Sequence, residues 1–188
     1  KDRLKNCGSL SGVIQKMRYK AWEKKAMTHY GTASFPTQEE RERQERAVFE
    51  RMPKISILVP RWNTPQDFLQ EMIGSVQKQT YANWELCLAD GSDGAHAYVG
   101  EYCRKLAEKD PRIVYQKLAK NEGISGNTNQ CYKLATGEFI GLFDHDDILH
   151  PCALYEYVKA INEQDADFVY CDEATFKSPD IDRMITMH

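Results

Sequence analysis

Hydrophobic positions in this chain follow two rhythms. From Lys54 onward, short and almost wholly apolar runs alternate with longer stretches in which apolar residues return every three or four positions. Ile55-Ser56-Ile57-Leu58-Val59 is the first run, apolar throughout as a strand covered on both faces must be. Trp84 to Ala89, Ile113-Val114-Tyr115, Phe139 to Phe143 and Asp167 to Cys171 repeat it. Between the runs, Phe68, Leu69, Met72, Ile73 and Val76 predict a helix, with Thr64 as N-cap and Pro65 at the first helical position. Tyr98, Val99, Tyr102 and Leu106 predict a second, ended by Asp110-Pro111. A third is expected over 125–135, with Gly137 as its C-terminal cap. Ala153, Leu154, Tyr157, Val158 and Ile161 stripe a fourth. Strand centres recur every ~30 residues, the length of a strand–helix crossover unit. The expected fold is α/β, a mainly parallel sheet with flanking helices.

Residues 1–52 have a different texture and read as a helical N-terminal extension ahead of a 53–188 domain. Positions 1–25 carry eight basic residues against two acidic ones, and Leu10, Val13, Met17 and Ala21 recur at helical spacing. A linker helix packing on the domain is the preferred reading. A basic amphipathic helix at a membrane surface or an acidic partner is the other. Gly31 to Pro36 is a break, and Thr37-Gln38-Glu39-Glu40 is a capping box that starts a charged helix expected to reach Arg51. Pro53 ends it.

The 188 residues allow one domain, and 25 Lys plus Arg against 28 Asp plus Glu leave a formal charge of −3. That balance argues against a general nucleic-acid binder. No run is long enough to span a bilayer. The chain starts at Lys1 without a signal-peptide pattern and reads as a piece of a longer polypeptide. None of its six cysteines stands in a Cys-x-x-Cys pair. Buried thiols in a reducing cytosol are expected, with Cys87 and Cys171 packed inside apolar runs.

In parallel sheets of this class ligands bind beyond the carboxyl ends of the strands. Those positions hold Pro60-Arg61-Trp62-Asn63, Asp90-Gly91-Ser92-Asp93, the stretch Asn121 to Asn129, and Asp144-His145-Asp146-Asp147. Three carboxylates within four residues repel one another unless solvated or bridged by a cation. Hard oxygen donors suit Mg²⁺ or Mn²⁺ held jointly with substrate phosphates. An acidic turn before the next helix fits the tetrapeptide equally well. Asp90 has two readings as well, a grip on a base or ribose and an Asp-Gly turn. The 121–129 stretch either lines the crevice or caps a helix. No lysine-bearing phosphate loop and no dinucleotide glycine motif follows the first strand, which disfavours P-loop enzymes and dinucleotide oxidoreductases.

Together these segments resemble the family 2 glycosyltransferases of the GT-A fold, from about Pro53 to Glu173. Ile57 to Asn63 resembles the family's opening strand and Pro-x-Tyr-Asn turn, with Trp62 for the usual Tyr. Gln79-Thr80-Tyr81-Ala82-Asn83-Trp84-Glu85 is similar to its approach to strand two. Ala89-Asp90-Gly91-Ser92 stands where many members have Asp-Asp-Gly-Ser, and Asn121-Glu122-Gly123-Ile124-Ser125 matches Asn-x-Gly-Ile-Ser. Thr128 stands where many members have Arg. Ala135 to Ile140 leads into Asp144-His145-Asp146, which matches the Asp-x-Asp motif.

The resemblance implies an inverting, metal-dependent transfer of a sugar from a nucleoside diphosphate donor, a UDP-sugar foremost, to a hydroxyl of a glycan acceptor. It assigns Mn²⁺ or Mg²⁺ to Asp146 with Asp144. It assigns nucleotide-sugar contacts to Pro60, Asn63, Asp90, Asn121, Asn129 and Asp144, and the sugar or acceptor side to Asp172 and Glu173. It places the catalytic base well downstream of Asp146, beyond His188. The expected location is the cytoplasm, with contact to the inner membrane face through the basic N-terminal segment. Two alternatives stand beside this reading. One is a non-catalytic nucleotide-sugar-binding module or inactive fragment. The other is a sugar-nucleotide pyrophosphorylase, which would want an Arg- or Lys-bearing glycine loop that Arg61-Trp62-Asn63-Thr64 does not provide.

Overall fold

Four parallel strands form the centre of the computed structural model, which describes residues 13–14, 17–18, 21, 31–177 and 180–187. They are β1 (Ile55–Arg61), β2 (Trp84–Asp90), β3 (Ile113–Lys117) and β4 (Phe139–Leu142), in the order β3-β2-β1-β4. Register runs Leu58 beside Cys87 on one side and Leu142 on the other. The helices are α1 (Gln38–Glu45), α2 (Gln66–Gln77), α3 (Ala97–Ala107), α4 (Gly123–Leu134) and α5 (Ala153–Gln164). This is the expected α/β architecture.

Strand periodicity sorts the core onto two faces. Ile55, Ile57, Val59, Leu86, Leu88 and Ile113 pack with Leu69, Met72, Ile73 and Val76 of α2, Val99 and Cys103 of α3, and Leu154 and Val158 of α5. Leu58, Cys87 and Ala89 point the other way, onto Cys131 and Leu134 of α4. Cys87, Cys103, Cys131 and Cys152 are buried free thiols, whereas Cys171 is exposed, against expectation.

The chain divides into two compact units, Pro36–Val169 and Lys1–Phe35 with Tyr170–His188. Thr37 forms its capping box with Glu40 as read from the sequence. The helix stops at Glu45 rather than Arg51. Asn162 explains this by accepting from the Arg51 amide (2.8 Å) and donating to the Arg51 carbonyl (2.9 Å), which ties the chain down in extended form. Phe49 turns in against Tyr155, with ring centroids 5.3 Å apart. In the other unit, β5 (Ala174–Lys177) and β6 (Asp180–Met187) form an antiparallel pair, and Thr32 donates through its amide and hydroxyl to Asp182. The basic segment over 1–25 lies largely outside the described residues.

Three local expectations are corrected. Residues 167–171 form no strand, and Phe168 and Tyr170 are more than four-fifths exposed. An apolar run becomes a strand only where a neighbour completes its ladder. The described part of β4 pairs with β1 alone. Thr64 does not cap α2: the cap position is Pro65, and the Thr64 hydroxyl is buried without a partner. Gly137 is not a helix cap either, since α4 ends at Leu134 and its cap residue is Ala135, in extended backbone. Gly137 is needed for space. A Cβ there would lie 2.5 Å from the Lys54 carbonyl oxygen and 2.7 Å from the Ser56 hydroxyl.

Glu85 organises this crossing. It accepts from the hydroxyls of Ser56 (2.6 Å) and Thr136 (2.9 Å), from the Thr136 amide, and from Lys54 Nζ (2.5 Å). Burial pushes its carboxyl pKa up, but Lys54, Ser56 and Thr136 outweigh that and bring it down to about 2. The other polar residues of the 79–84 segment also tie backbone. Tyr81 donates to the Pro53 carbonyl (2.7 Å) and Asn83 to that of Met52 (2.9 Å), while Arg112 stacks on the Trp84 ring at 3.9 Å. Sequence reading recognised this segment as a motif and missed its mechanical role.

Candidate active site at the carboxyl edge of the sheet

The carboxyl edge carries two assemblies, one on each face. On the α3 face, alternation along β1 and β2 continues past the apolar core to Arg61 and Asp90, paired in register. Asp90 is 1% exposed. Its Oδ1 accepts from the Ser92 amide (2.9 Å), and its Oδ2 from the Tyr115 hydroxyl (2.8 Å) and from Lys117 Nζ (3.4 Å). Burial pushes its carboxyl pKa up; the bonds from Ser92 and Tyr115 and the Lys117 charge outweigh this, and the net direction is down. Gly100 makes this possible, because a Cβ there would lie 2.6 Å from the Tyr115 hydroxyl.

Arg61 is wholly buried. Its Nη1 donates to Cys103 Sγ at 3.1 Å, while Nε and Nη2 have no partner. Burial holds the guanidinium below its ordinary pKa. An Arg closing an apolar run, on the same strand parity as Ile57 and Val59, was the sequence signal for this buried charge. Tyr115 and Lys117 gave no comparable signal.

Asn63 adopts a left-handed backbone (φ 52°), which asparagine tolerates better than most residues. Its amide donates to the Ser92 hydroxyl (2.8 Å), and its side chain exchanges bonds with Asp93 (3.0 and 3.1 Å). Asn63 therefore locks the turn after β1 to the turn after β2. Asn121 also works locally. Its Oδ1 accepts from the Gly123 amide (3.0 Å) and from Asn127 Nδ2 (2.9 Å). Gly123, at φ 75°, opens α4. Asn127 is the hub that sequence reading did not single out: it is buried and also accepts from the Glu122 amide (3.1 Å).

On the α4 face lies an open groove of about 430 Å³. Pro60, Asn129 and Asp144 line it, together with Leu58, Ser125 and Thr128. The structure thus brings three of the sequence-predicted residues together here. Asn63, Asp90 and Asn121 are not among its lining residues. Asp172 and Glu173 are exposed and belong to the other compact unit.

Asp144, Asp146 and Asp147 are all exposed. His145 is half-buried, its Nδ1 stands 4.0 Å from Asp146 Oδ1, and that nitrogen has no hydrogen-bond partner. Among the described residues no three ligating side chains already converge on one point. The donors are still of the right kind for a hard cation, which takes one or two carboxylates and completes its shell with water and phosphate oxygens. Solvated acidic side chains at the mouth of a groove fit Mg²⁺ or Mn²⁺ in that manner.

Residues 56–181 match the family model described as "Glycosyl transferase family 2". The chain is 36% identical over 121 residues to the Escherichia coli UDP-Glc:alpha-D-GlcNAc-diphosphoundecaprenol beta-1,3-glucosyltransferase WfgD, covering 62% of this chain and 44% of WfgD. Its fold superposes on S. aureus TarS 1–349 in complex with UDP-GlcNAc with a TM-score of 0.51 and 28% identity, over 61% of this chain and 32% of TarS. It also superposes on the mannosyltransferase PcManGT of Pyrobaculum calidifontis in complex with GDP-Man and Mn²⁺, with a TM-score of 0.51 and 20% identity, over 74% and 41% of the two chains. The chain spans between 10% and 44% of the length of the curated relatives it matches.

Proposed function

Because this chain belongs to glycosyl transferase family 2, we propose that it forms the donor-binding part of an inverting enzyme that moves a sugar from a nucleoside diphosphate to a hydroxyl of a growing glycan. One observation carries the proposal: Pro60 at the end of β1, Asn129 on α4 and Asp144 after β4 line a single groove, and the exposed carboxylates follow Asp144 directly. This is the crevice beyond the strand ends where sheets of this class take their ligands.

In this reading the groove takes the donor. Ser125, Thr128 and Asn129 offer hydroxyl and amide groups, and Leu58, Pro60 and Leu142 offer apolar surface. Asp146, with Asp144, would hold the divalent ion. Such an ion supplies positive charge against the charge that builds on the departing diphosphate. Asp90, Asn63 and Asn127 keep the loops after β1, β2 and β3 in place, since their bonds are made to protein. Acceptor deprotonation falls to a carboxylate beyond His188, as the family pattern implies. WfgD carries UDP-Glc in its name and TarS has been solved with UDP-GlcNAc. A UDP-sugar donor and a role in surface polysaccharide assembly are therefore proposed here too.

Calorimetric titration with UDP tests the reading. Heat should be released with Mn²⁺ present and vanish when it is chelated. A folded sample that gives no heat at millimolar UDP and Mn²⁺ would refute it.

A further inference from the structure

The acidic loop is strung between two anchors. The first closes β4, where the Phe143 amide donates to the Leu58 carbonyl at 3.1 Å. The second is made by the carboxyl end of α2 and the residues after it. The Leu149 amide donates to the Ser75 hydroxyl (3.0 Å), and Gln79 Nε2 donates to the His150 carbonyl (2.7 Å). Gln79 Oε1 accepts from the Leu154 amide (3.0 Å), and the Thr80 amide donates to the Pro151 carbonyl (3.0 Å). Between the anchors, the Asp147 amide donates to the Asp144 carbonyl at 3.4 Å, within the loop. Asp144 to Ile148 is thus anchored at both ends.

Gln79 is built for that task. It is 6% exposed, and its amide spends both donor and acceptor on main chain rather than filling apolar space. Leu154 is the second residue of α5, where an amide lacks an intrahelical partner. The cap residue, Cys152, provides no side-chain bond. Gln79 caps that helix from across the fold and holds the chain ahead of it in the same grip. Ser75, 7% exposed, relays the hold to α2 by donating to the Met72 carbonyl (2.7 Å).

We infer that Gln79, assisted by Ser75, is the positioning residue for the acidic loop: it fixes the carboxylates of Asp144 and Asp146 at the height where a divalent ion and a diphosphate are held together. This rests on the function proposed above. Side chains that orient metal ligands from behind influence affinity strongly, commonly by about 10–100-fold.

The test measures Mn²⁺ affinity at fixed UDP, by the paramagnetic resonance signal of free Mn²⁺, in the full chain. Thermal unfolding is followed alongside. Gln79→Met keeps the side-chain length and removes the bonds to His150 and Leu154, together with a longer one to the Ser75 carbonyl (3.3 Å); Mn²⁺ affinity should fall about tenfold or more. Tyr81→Phe removes a buried hydrogen bond at the same exit from α2, to Pro53, away from the loop. It should lower the unfolding midpoint and leave Mn²⁺ affinity unchanged, which a purely structural role for Gln79 would not separate. Ser75→Ala should weaken Mn²⁺ binding, and Ser75→Thr, which keeps the hydroxyl, should restore it. Wild-type Mn²⁺ affinity in Gln79→Met, with Asp146→Ala losing it, overturns this inference and leaves the donor-site reading standing. Absence of UDP-dependent Mn²⁺ binding in the wild-type chain overturns both. Should Gln79→Met fail to fold, the Ser75 pair decides: Ser75→Ala binding like wild type overturns the inference.

Discussion

The two faces of the sheet's carboxyl edge are built on opposite principles. On the α3 side, Arg61, Asp90 and Tyr115 are packed under a helix, and Asp90 has protein partners on both oxygens. On the α4 side, exposed Asp144 lines an open groove, and the exposed Asp146 and Asp147 follow it in the chain. In the first assembly Asp90 is satisfied by protein alone. The second gathers like charges that gain most when a cation arrives. The lesson is that closely spaced carboxylates at strand ends have two fates, decided by whether the fold supplies donors. Asp90 receives three, whereas Asp144, Asp146 and Asp147 stay exposed.

That contrast can be broken by mutation. The largest expected effect is Asp146→Ala, which should cut Mn²⁺-dependent UDP affinity by more than about a hundredfold, beyond what supporting residues contribute. Its unfolding midpoint should not move, because the side chain is exposed. An Asp146→Ala protein that unfolds early would place this carboxylate in the sealed class.

Glu85→Ala should show the opposite pattern. Removing a buried carboxylate from Lys54, Ser56 and Thr136 is expected to cost about 3 kcal/mol or more in denaturant unfolding, as for other broken buried pairs. Its folded pKa of about 2 lies below the ordinary 4.5. The stabilisation is therefore present above pH 4.5 and is lost as pH falls toward about 2. Wild-type stability should decline across that window, and the Glu85→Ala protein should decline less.

Asp90→Asn keeps the shape and removes the charge that faces Lys117. A cost of about 1–3 kcal/mol is expected, with UDP affinity little altered. Lost UDP binding at wild-type stability would show that Asp90 meets the donor. Thr37→Ala, far from either assembly, should cost about 1 kcal/mol through the lost cap alone, measured by thermal unfolding.

Much of the fold was legible because strands buried on two faces must be mostly apolar, as β1 and β2 are, while the shorter edge strands β3 and β4 kept enough apolar residues to be read. Errors arose where tertiary contacts overrode local signals. The run at 167–171 has strand composition, but strand formation depends on a neighbour that composition does not encode. Thr64 and Gly137 carry cap-like identities, yet a buried hydroxyl and a tight crossing over Lys54 decide their roles. The site was half legible. Pro60, Asn129 and Asp144 share the groove as their strand-end positions implied. Asn63 and Asn121 carry the same side chain as Asn129, and only the geometry reveals that they brace turns. Arg61 and Gln79 were seen only as motif residues, because their roles lie in distances between segments far apart in sequence.

Gly137 has one more consequence. The Lys54 carbonyl and Ser56, at the entry to β1, fill the space its side chain would need, so the approach to β4 is seated by close backbone contact. Asp144 follows only seven residues later. A methyl group at 137 would act as a shim, lifting β4 from its neighbour and carrying the acidic loop with it. The calibration of the groove's mouth thus begins at the far end of the sheet, in an atom the chain leaves out.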